Sequence, residues 1–189
     1  LPWARVRKKL GQLSRARSVI FDMRGYPESG NHRIVQHLSR DTLQSIRLET
    51  PQFIYPDQER LAGYDASSIA YPPKEPQIDG TVAFLTSAGA ISYAEALMGV
   101  VEHYDVGVIV GGATAGATGT LNRTELIGDY VVSWTGRRVR THDGSQHHLV
   151  GIRPDVEAER TIDGVRNGRD DVLRKGLDVL RDSMALPDN

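Results

Sequence analysis

The chain contains no cysteine, and this absence excludes several kinds of chemistry. Disulfides, thiolate metal ligands, cysteine nucleophiles and thiol redox reactions all require a thiol. Long apolar runs are also missing: runs such as residues 106–110 are far shorter than the roughly 20 residues of a membrane-spanning helix. Positive and negative charges nearly balance, because the chain has 23 Lys and Arg residues and 24 Asp and Glu residues. We therefore expect no membrane span, and nothing in the charge favours nucleic acid or an anionic membrane as a partner.

Length and composition are those of a globular protein. The chain has 189 residues, of which 39% are hydrophobic and 25% are charged. This composition excludes disordered and fibrous proteins, and the length is enough for one domain with a sizeable core. We expect a single domain over residues 1–189. Because the chain begins with Leu1 and not with Met, we interpret it as part of a longer polypeptide; no signal peptide is visible.

Hydrophobic patterns predict an α/β fold. Apolar runs at residues 18–23, 81–86 and 107–111 are typical of buried strands, and apolar residues recur at the helical period over residues 93–104. A strand, a helix and a second strand in this order form a βαβ unit, whose strands pair in parallel. Further helices are predicted over residues 3–13, 31–39 and 168–180.

Two other segments complete the predicted fold. The proline-rich residues 49–80 are expected to form a long excursion with little regular structure. Residues 126–134 and 137–141 are predicted to form a β-hairpin with Thr135 and Gly136 at its turn. The fold class is therefore α/β, with a mostly parallel sheet flanked by helices, plus a C-terminal β-hairpin.

Ser92 is the first candidate for chemistry, because it lies between the predicted strand 81–86 and the predicted helix 93–104. Backbone N–H groups in the first turn of a helix can stabilise an oxyanion. Ser92 and Glu95 also have the spacing of a capping box, which is the simpler interpretation. The two interpretations are compatible, since one helix start can serve both purposes.

Two other motifs suggest ligand sites but lack the necessary residues. The glycine-rich residues 111–119 lack the Lys-Ser/Thr ending of a phosphate-binding loop and lead into strands. They are more typical of two backbones in close approach. The histidines have no His-x-x-x-His pair of the kind found in helical zinc sites, so we expect no metal. Because neighbours in a strand point to opposite faces, at most one of His147 and His148 can face a given site.

Five segments in order resemble the motifs of one family, the carboxy-terminal processing peptidases or tail-specific proteases. Residues 21–27 resemble its Asp-Leu-Arg-x-Asn-Pro-Gly-Gly turn, and residues 92–95 its Ser-Ala-x-Glu nucleophile segment. Residues 110–116 resemble Gly-Glu-x-Thr-x-Gly, and residues 143–156 resemble Asp-Gly followed by Gly-Ile-x-Pro-Asp. Residues 168–173 fit the start of the last helix. The resemblance runs over roughly residues 18–180.

This resemblance implies a crotonase/ClpP-like core and a serine peptidase that acts on peptides or proteins, outside the cytoplasm and without a metal or organic cofactor. Ser92 would be the nucleophile. The N–H of Tyr93 would be one oxyanion donor, and the turn that begins at Gly25 would supply another. Glu95 would anchor the nucleophile turn.

The chain departs from the family at two functional positions. In the lysine-dyad branch a lysine follows the nucleophile by 25 residues, and here that position is Ala117. The glycines of the oxyanion turn are replaced by Glu28 and Ser29. A second branch, which resembles tricorn protease, uses a histidine from upstream of this core and a glutamate three residues before the Gly-x-x-Pro-Asp signature. That position is His148, our candidate for the general base or for a group that orients it.

Two functional hypotheses follow. The first is a serine peptidase core that forms an acyl-enzyme on Ser92. The alternative, based on Ala117 in place of the lysine, is a catalytically inactive peptidase-like domain that binds an extended peptide or an apolar ligand. The sequence leaves the oligomeric state open.

Overall fold

The computed structural model describes residues 1–185; the last four residues of the predicted domain, 186–189, lie outside the described residues. The helices and strands are, in chain order, α1 (Trp3–Leu13), β1 (Ser18–Asp22), a 3-10 helix (Asn31–His37), β2 (Leu43–Gln44), β3 (Arg47–Phe53), β4 (Leu61–Ser67), β5 (Ala70–Tyr71), β6 (Thr81–Thr86), α2 (Tyr93–Tyr104), β7 (Val108–Gly111), β8 (Leu121–Leu126), β9 (Tyr130–Thr135), β10 (Arg138–Arg140), β11 (Val156–Glu157), α3 (Ile162–Arg166) and α4 (Asp171–Ala185).

A four-stranded sheet in the order β1-β6-β7-β11 is the centre of the fold. Its three pairings are parallel. Helices cover both faces of a parallel sheet, so its strands are apolar on both sides. In β6 the Phe84 ring belongs to the core cluster that contains α2, whereas Leu85 packs with Val172 of α4 on the other face. The predicted α/β class, with a parallel sheet flanked by helices, is confirmed.

Helix α2 has the bounds that the helical period predicts. Its inward side supplies five apolar residues to the core: Ala94, Leu97, Met98, Val100 and Val101. The parallel pairing of β6 with β7, from Ala83 opposite Val108 to Thr86 opposite Gly111, confirms the predicted βαβ unit. This unit places Ser92 at the start of α2, directly after the loop that follows β6.

Residues 49–80 are more regular than the proline content predicts. Most of β3 and all of β4 and β5 lie in this segment, and β3 pairs with both β4 and β10 in an antiparallel sheet. The sheet tolerates Pro51 because β10 pairs only with residues 47–49. At Pro51, the edge of β3 that faces away from β4 is therefore not paired with β10. The N–H that proline lacks costs no hydrogen bond between strands.

The C-terminal hairpin is present, but its strands are not the predicted ones. Strand β8 pairs with β9, and the turn is residues 127–129. Gly128 and Asp129 both have positive φ there, at 84° and 62°, which suits a short hairpin loop. The predicted second strand, residues 137–141, contains β10 instead, and β10 pairs with β3.

The remaining helices differ from prediction mainly at their ends. Residues 31–37 form a 3-10 helix where an α-helix over 31–39 was predicted, and α4 begins at Asp171, three residues later than predicted. Gly168 has a φ of 65° and lies outside α4. Among residues 1–185, no helix combines the length and the apolar character needed to cross a membrane.

The carboxyl ends of β1, β6 and β7 lie side by side, at Asp22, Thr86 and Gly111. The loops that follow these strands therefore meet at one edge of the sheet, which is where open α/β sheets commonly bind ligands. Close packing there requires glycine: a Cβ on Gly111 would lie 2.1 Å from the carbonyl oxygen of Thr86. This confirms that the glycine-rich segment allows two backbones to approach closely.

Candidate active site

Ser92 occupies a sharp turn between the loop after β6 and helix α2. Its φ of 52° and ψ of −107° lie outside the regions that L-residues usually adopt. Such a conformation costs on the order of 1–3 kcal/mol and persists only where the surrounding structure holds it. The side chain is half-buried, and Ser92 and Glu95 form the capping box that their spacing predicts, with the Ser92 N–H donating to Glu95 at 3.0 Å. One helix start thus holds both the capping box and the candidate nucleophile.

The Glu95 carboxylate holds the backbone of this turn. Its side chain is fully buried, and its oxygens accept five hydrogen bonds. The donors are Ser92 N–H at 3.0 Å, Gly116 N–H at 2.6 Å, Ala117 N–H at 2.9 Å, and the hydroxyls of Thr114 and Thr118, each at 2.7 Å. Glu95 thus ties the start of α2 to the glycine-rich turn after β7.

The same hydrogen-bond donors determine the protonation state of Glu95. Burial alone would raise the pKa of this carboxyl group, since it disfavours the charged form. Donors on His147, Thr118, Thr114 and Gly116 outweigh burial and lower the pKa to about 2. Glu95 is therefore a carboxylate at neutral pH and can only accept hydrogen bonds. The role predicted for Glu95, anchoring the turn at Ser92, stays a prediction, and these hydrogen bonds are consistent with it.

His147 is the histidine that reaches this network. Its side chain is fully buried, and its Nε2 lies 3.1 Å from the hydroxyl of Thr118 and 3.5 Å from Oε1 of Glu95. Sequence reasoning missed His147, Thr114 and Thr118. His147 and His148 lie outside the strands, where a turn begins, so the strand alternation that the sequence analysis assumed for them does not apply.

His148 lies in a different environment. Its Nε2 accepts a hydrogen bond from the N–H of Val139 at 3.0 Å, and its side chain lines a separate cleft with Tyr64 and Arg138. The lone pair of that nitrogen is thus occupied, and no hydrogen bond joins His148 to Ser92 within residues 1–185. The role predicted for His148 as general base stays a prediction, while its Nε2 is engaged by the backbone of Val139.

The segments that carry the two predicted oxyanion donors meet through the rings of Tyr26 and Tyr93. Within residues 1–185 the N–H of Tyr93 has no hydrogen-bond partner, because it is the first residue of α2. The ring of Tyr93 lies 6.2 Å from the ring of Tyr26, which follows Gly25. Gly25 itself is exposed, with open space where a Cβ would stand. The turn that contains Gly25 therefore runs beside the start of α2.

Arg24 fixes the turn that contains Gly25. Its guanidinium donates to both carboxylate oxygens of Asp22 and of Asp170, at 2.6 to 2.9 Å. Hydrogen bonds from Arg24 lower the pKa of Asp170 to about 2, although partial burial opposes this. Bidentate hydrogen bonds between a guanidinium and a carboxylate are directional as well as strong. They connect the end of β1 to the residue that precedes α4.

A cavity of about 1550 Å³ lies on the same edge of the sheet. Its walls include the turn at residues 24–28, Ser87 and Ala88 before Ser92, and charged residues such as Arg160 and Arg169. Ser92 itself is not among the lining residues. The cavity adjoins the candidate site and is large enough for several side chains of a peptide.

The part of the chain that the structure describes contains no group of side chains arranged to bind a metal ion. Within residues 1–185, no three His, Asp or Glu side chains converge as metal ligands would. His103 and His142 lie close together, but their rings stack in parallel with centroids 4.0 Å apart. Stacked rings present their faces to each other, so their nitrogen lone pairs do not converge on one ion.

These features define an α/β protein with a strained serine at a strand-to-helix turn and, next to it, an amide that has no partner in the described part of the chain. The chain belongs to peptidase family S41, whose family model matches residues 3–158. This confirms the family to which the five sequence motifs point. No curated protein matches the sequence.

Solved structures show the same fold. A candidate peptidase from Parabacteroides merdae superposes with a TM-score of 0.77 at 16% identity, over 95% of this chain and 57% of that one. Mature CPAF complexed with lactacystin gives 0.75 at 16% identity, over 95% and 46%. The photosystem II D1 C-terminal processing protease gives 0.59 at 19% identity, over 82% and 38%. The chain thus spans about half the length of the first two structures.

Proposed function

We propose that this chain is the catalytic core of a serine peptidase, which hydrolyses peptide bonds through an acyl-enzyme on Ser92. The observation that carries the proposal is the backbone of Ser92. Its φ of 52° is held by Glu95, and the amide of Tyr93 next to it has no partner within residues 1–185. Membership of peptidase family S41 supports the same chemistry.

The proposed reaction has two halves. The Oγ of Ser92 attacks the carbonyl carbon of the scissile bond, and the negative charge that develops on the carbonyl oxygen is stabilised by the N–H of Tyr93. The turn that contains Gly25 supplies the second donor. The amine leaves with a proton, and an ester to Ser92 remains. Water then attacks this ester and regenerates the serine hydroxyl.

A serine hydroxyl needs a proton acceptor to be a good nucleophile. Position 117, where the dyad branch has its lysine, is occupied by alanine, whose side chain cannot accept a proton. The nitrogen of His148 that could do so accepts from Val139 instead. The tricorn-like resemblance implies a histidine from upstream of this core, so the full-length protein is the form to test.

A fluorophosphonate probe tests the proposal directly. We expect full-length protein to be labelled once per chain, and mass spectrometry of the digest to locate the adduct on Ser92. The Ser92→Ala variant should not be labelled, whereas Ser133→Ala, on the exposed strand β9, should retain labelling. Lactacystin, which CPAF binds in its solved complex, serves as a second probe. A folded protein that neither probe modifies would contradict the proposal.

The inactive peptidase-like domain is a second candidate function. Two observations favour it: Ala117 replaces the lysine, and Nε2 of His148 is engaged by the backbone. Such a domain would bind an extended peptide without cleaving it. Peptide binding that survives Ser92→Ala, with no hydrolysis by the full-length protein, would select this function over the first.

A further inference from the structure

We propose that His147 is a positioning residue for Ser92, which acts through Thr118 and Glu95. The inference rests on the proposed function in so far as Ser92 is the nucleophile. The side chain of His147 is completely buried and touches the network that holds the nucleophile turn. It does not itself touch the reacting atoms, so its effect must pass through its two partners.

The hydrogen bonds determine which way the proton of each group points. The Thr118 hydroxyl has one hydrogen, and its closest acceptor is Oε2 of Glu95 at 2.7 Å; the carbonyl oxygen of Ser92 lies at 3.3 Å. That hydrogen is thus already donated. The contact of 3.1 Å between the Thr118 hydroxyl and Nε2 of His147 must therefore have the imidazole as donor.

With its proton on Nε2, His147 orients two acceptors at once. The same N–H lies 3.5 Å from Oε1 of Glu95, so the imidazole edge faces both the hydroxyl and the carboxylate. Glu95 in turn accepts the N–H of Ser92 at 3.0 Å, and the Thr118 hydroxyl, which donates to Glu95, lies against the Ser92 carbonyl oxygen at 3.3 Å. The imidazole is the outermost member of a short chain that ends on the nucleophile's backbone.

The backbone around His147 keeps the imidazole in place. Its carbonyl oxygen accepts from the N–H groups of Val150 at 3.0 Å and Gly151 at 2.9 Å. The N–H of Leu149 donates to the carbonyl oxygen of Gly116 at 2.9 Å. A Cβ on Gly116 would come within 2.8 Å of that nitrogen. The turn after His147 is thus packed directly against the turn that Glu95 anchors.

The other ring nitrogen indicates why a histidine stands here. Within residues 1–185, Nδ1 of His147 is buried and has no hydrogen-bond partner. A buried polar atom without a partner costs stability, and an apolar side chain of similar size would avoid that cost. An apolar residue could not donate a hydrogen bond here, whereas Nε2 of His147 donates one to the Thr118 hydroxyl.

The test compares four variants of the full-length protein. His147→Gln keeps an N–H donor at about the reach of Nε2, whereas His147→Asn has a shorter amide that does not reach Thr118. His147→Leu removes the donor and keeps the bulk. His37→Leu is the matched control, because His37 is also buried, with a single ring hydrogen bond to the carbonyl of Pro76.

Two readouts separate positioning from activity. The first is hydrogen exchange of the Ser92, Gly116 and Ala117 amides, all of which donate to Glu95. The second is fluorophosphonate labelling of Ser92, resolved into probe affinity and the rate constant of the covalent step. We expect His147→Leu and His147→Asn to speed exchange of these amides about tenfold and to slow the covalent step about tenfold, with probe affinity unchanged. His147→Gln and His37→Leu should stay within twofold of wild type.

Each result decides the inference. Unchanged exchange in folded His147→Leu, or equal acceleration in His37→Leu, would overturn it. If His147→Leu does not fold, the contrast between the Gln and Asn variants decides instead, and equal behaviour of those two would overturn it. If wild-type protein is not labelled at all, the proposed function fails, while the exchange pattern still tests whether His147 holds the turn.

Discussion

The backbone nitrogen of Ala117 lies 2.9 Å from Oε2 of Glu95, the oxygen that also accepts from Ser92 N–H at 3.0 Å. One carboxylate oxygen thus connects the turn at Ser92 to the position where the dyad branch of the family carries its lysine. The side chain at position 117 is exposed, so a longer residue there meets no buried neighbour.

Ala117→Lys should increase the rate of Ser92 labelling by about a hundredfold, because a positioned general base contributes roughly 10²–10⁴-fold. The lysine amine would accept the serine proton. The measurement is the second-order rate constant for fluorophosphonate labelling. Ala115→Lys is the control, since Ala115 is exposed on the same turn and adds the same charge. Equal rates for the two variants would show that position 117 does not face Ser92.

Glu95→Gln should destabilise the fold and abolish labelling. The substitution keeps the shape but removes the charge and turns an NH2 group towards groups that donate. Leaving buried donors without an acceptor costs about 1–3 kcal/mol each, so a loss of about 3 kcal/mol is expected for the free energy of unfolding in urea. Glu125→Gln, on the exposed hairpin, should change it by less than about 0.5 kcal/mol. A neutral Glu95→Gln would contradict the network.

Acid should destabilise the protein partly through Glu95. The pKa of this group in the folded state is about 2, below its ordinary value of 4.5. A lowered folded-state pKa contributes stability that is fully present above about pH 4.5 and is lost as the pH falls towards 2. The melting temperature should fall across this window, and less steeply in Glu95→Gln. Equal slopes for the two proteins would contradict the assignment.

Arg24→Lys should loosen the turn that contains Gly25. A lysine cannot donate to Asp22 and Asp170 with paired N–H groups as the guanidinium does. Because both carboxylates are partly exposed, with side chains 53% and 37% accessible, we expect a loss of only about 1 kcal/mol. Labelling of Ser92 should slow as well. Arg40→Lys, at an exposed pair with Asp79, is the control and should alter neither quantity.

The parallel core could be predicted from the sequence because burial on both faces leaves an unambiguous pattern. Strand β6 and helix α2 have the predicted bounds, and together they place Ser92 at the start of the helix. Strands at the surface leave a weaker pattern. The residues of β8 and β9 are all exposed, so no buried face fixed their register in advance, and the hairpin turn was assigned to Thr135 and Gly136.

The candidate site was predictable only in part. Ser92 and Glu95 are separated by one helical turn, so their relationship follows from local geometry. His147 and Thr118 meet across 29 positions of sequence, and no local pattern encodes that contact. Motif counting selected His148 for the same reason: spacing along the chain does not show which of two neighbouring side chains points inward. The fold makes that choice by burying His147 against Glu95.

Intact-mass spectrometry of the full-length protein with an activated peptide ester is the most direct test of whether Ser92 forms an acyl-enzyme. We expect an early mass increase equal to one acyl group, located on Ser92 after digestion and lost again as the ester hydrolyses. The Ser92→Ala variant should show no increase. A folded wild-type protein that never gains the acyl mass, or a Ser92→Ala variant that gains it equally, would contradict the claim.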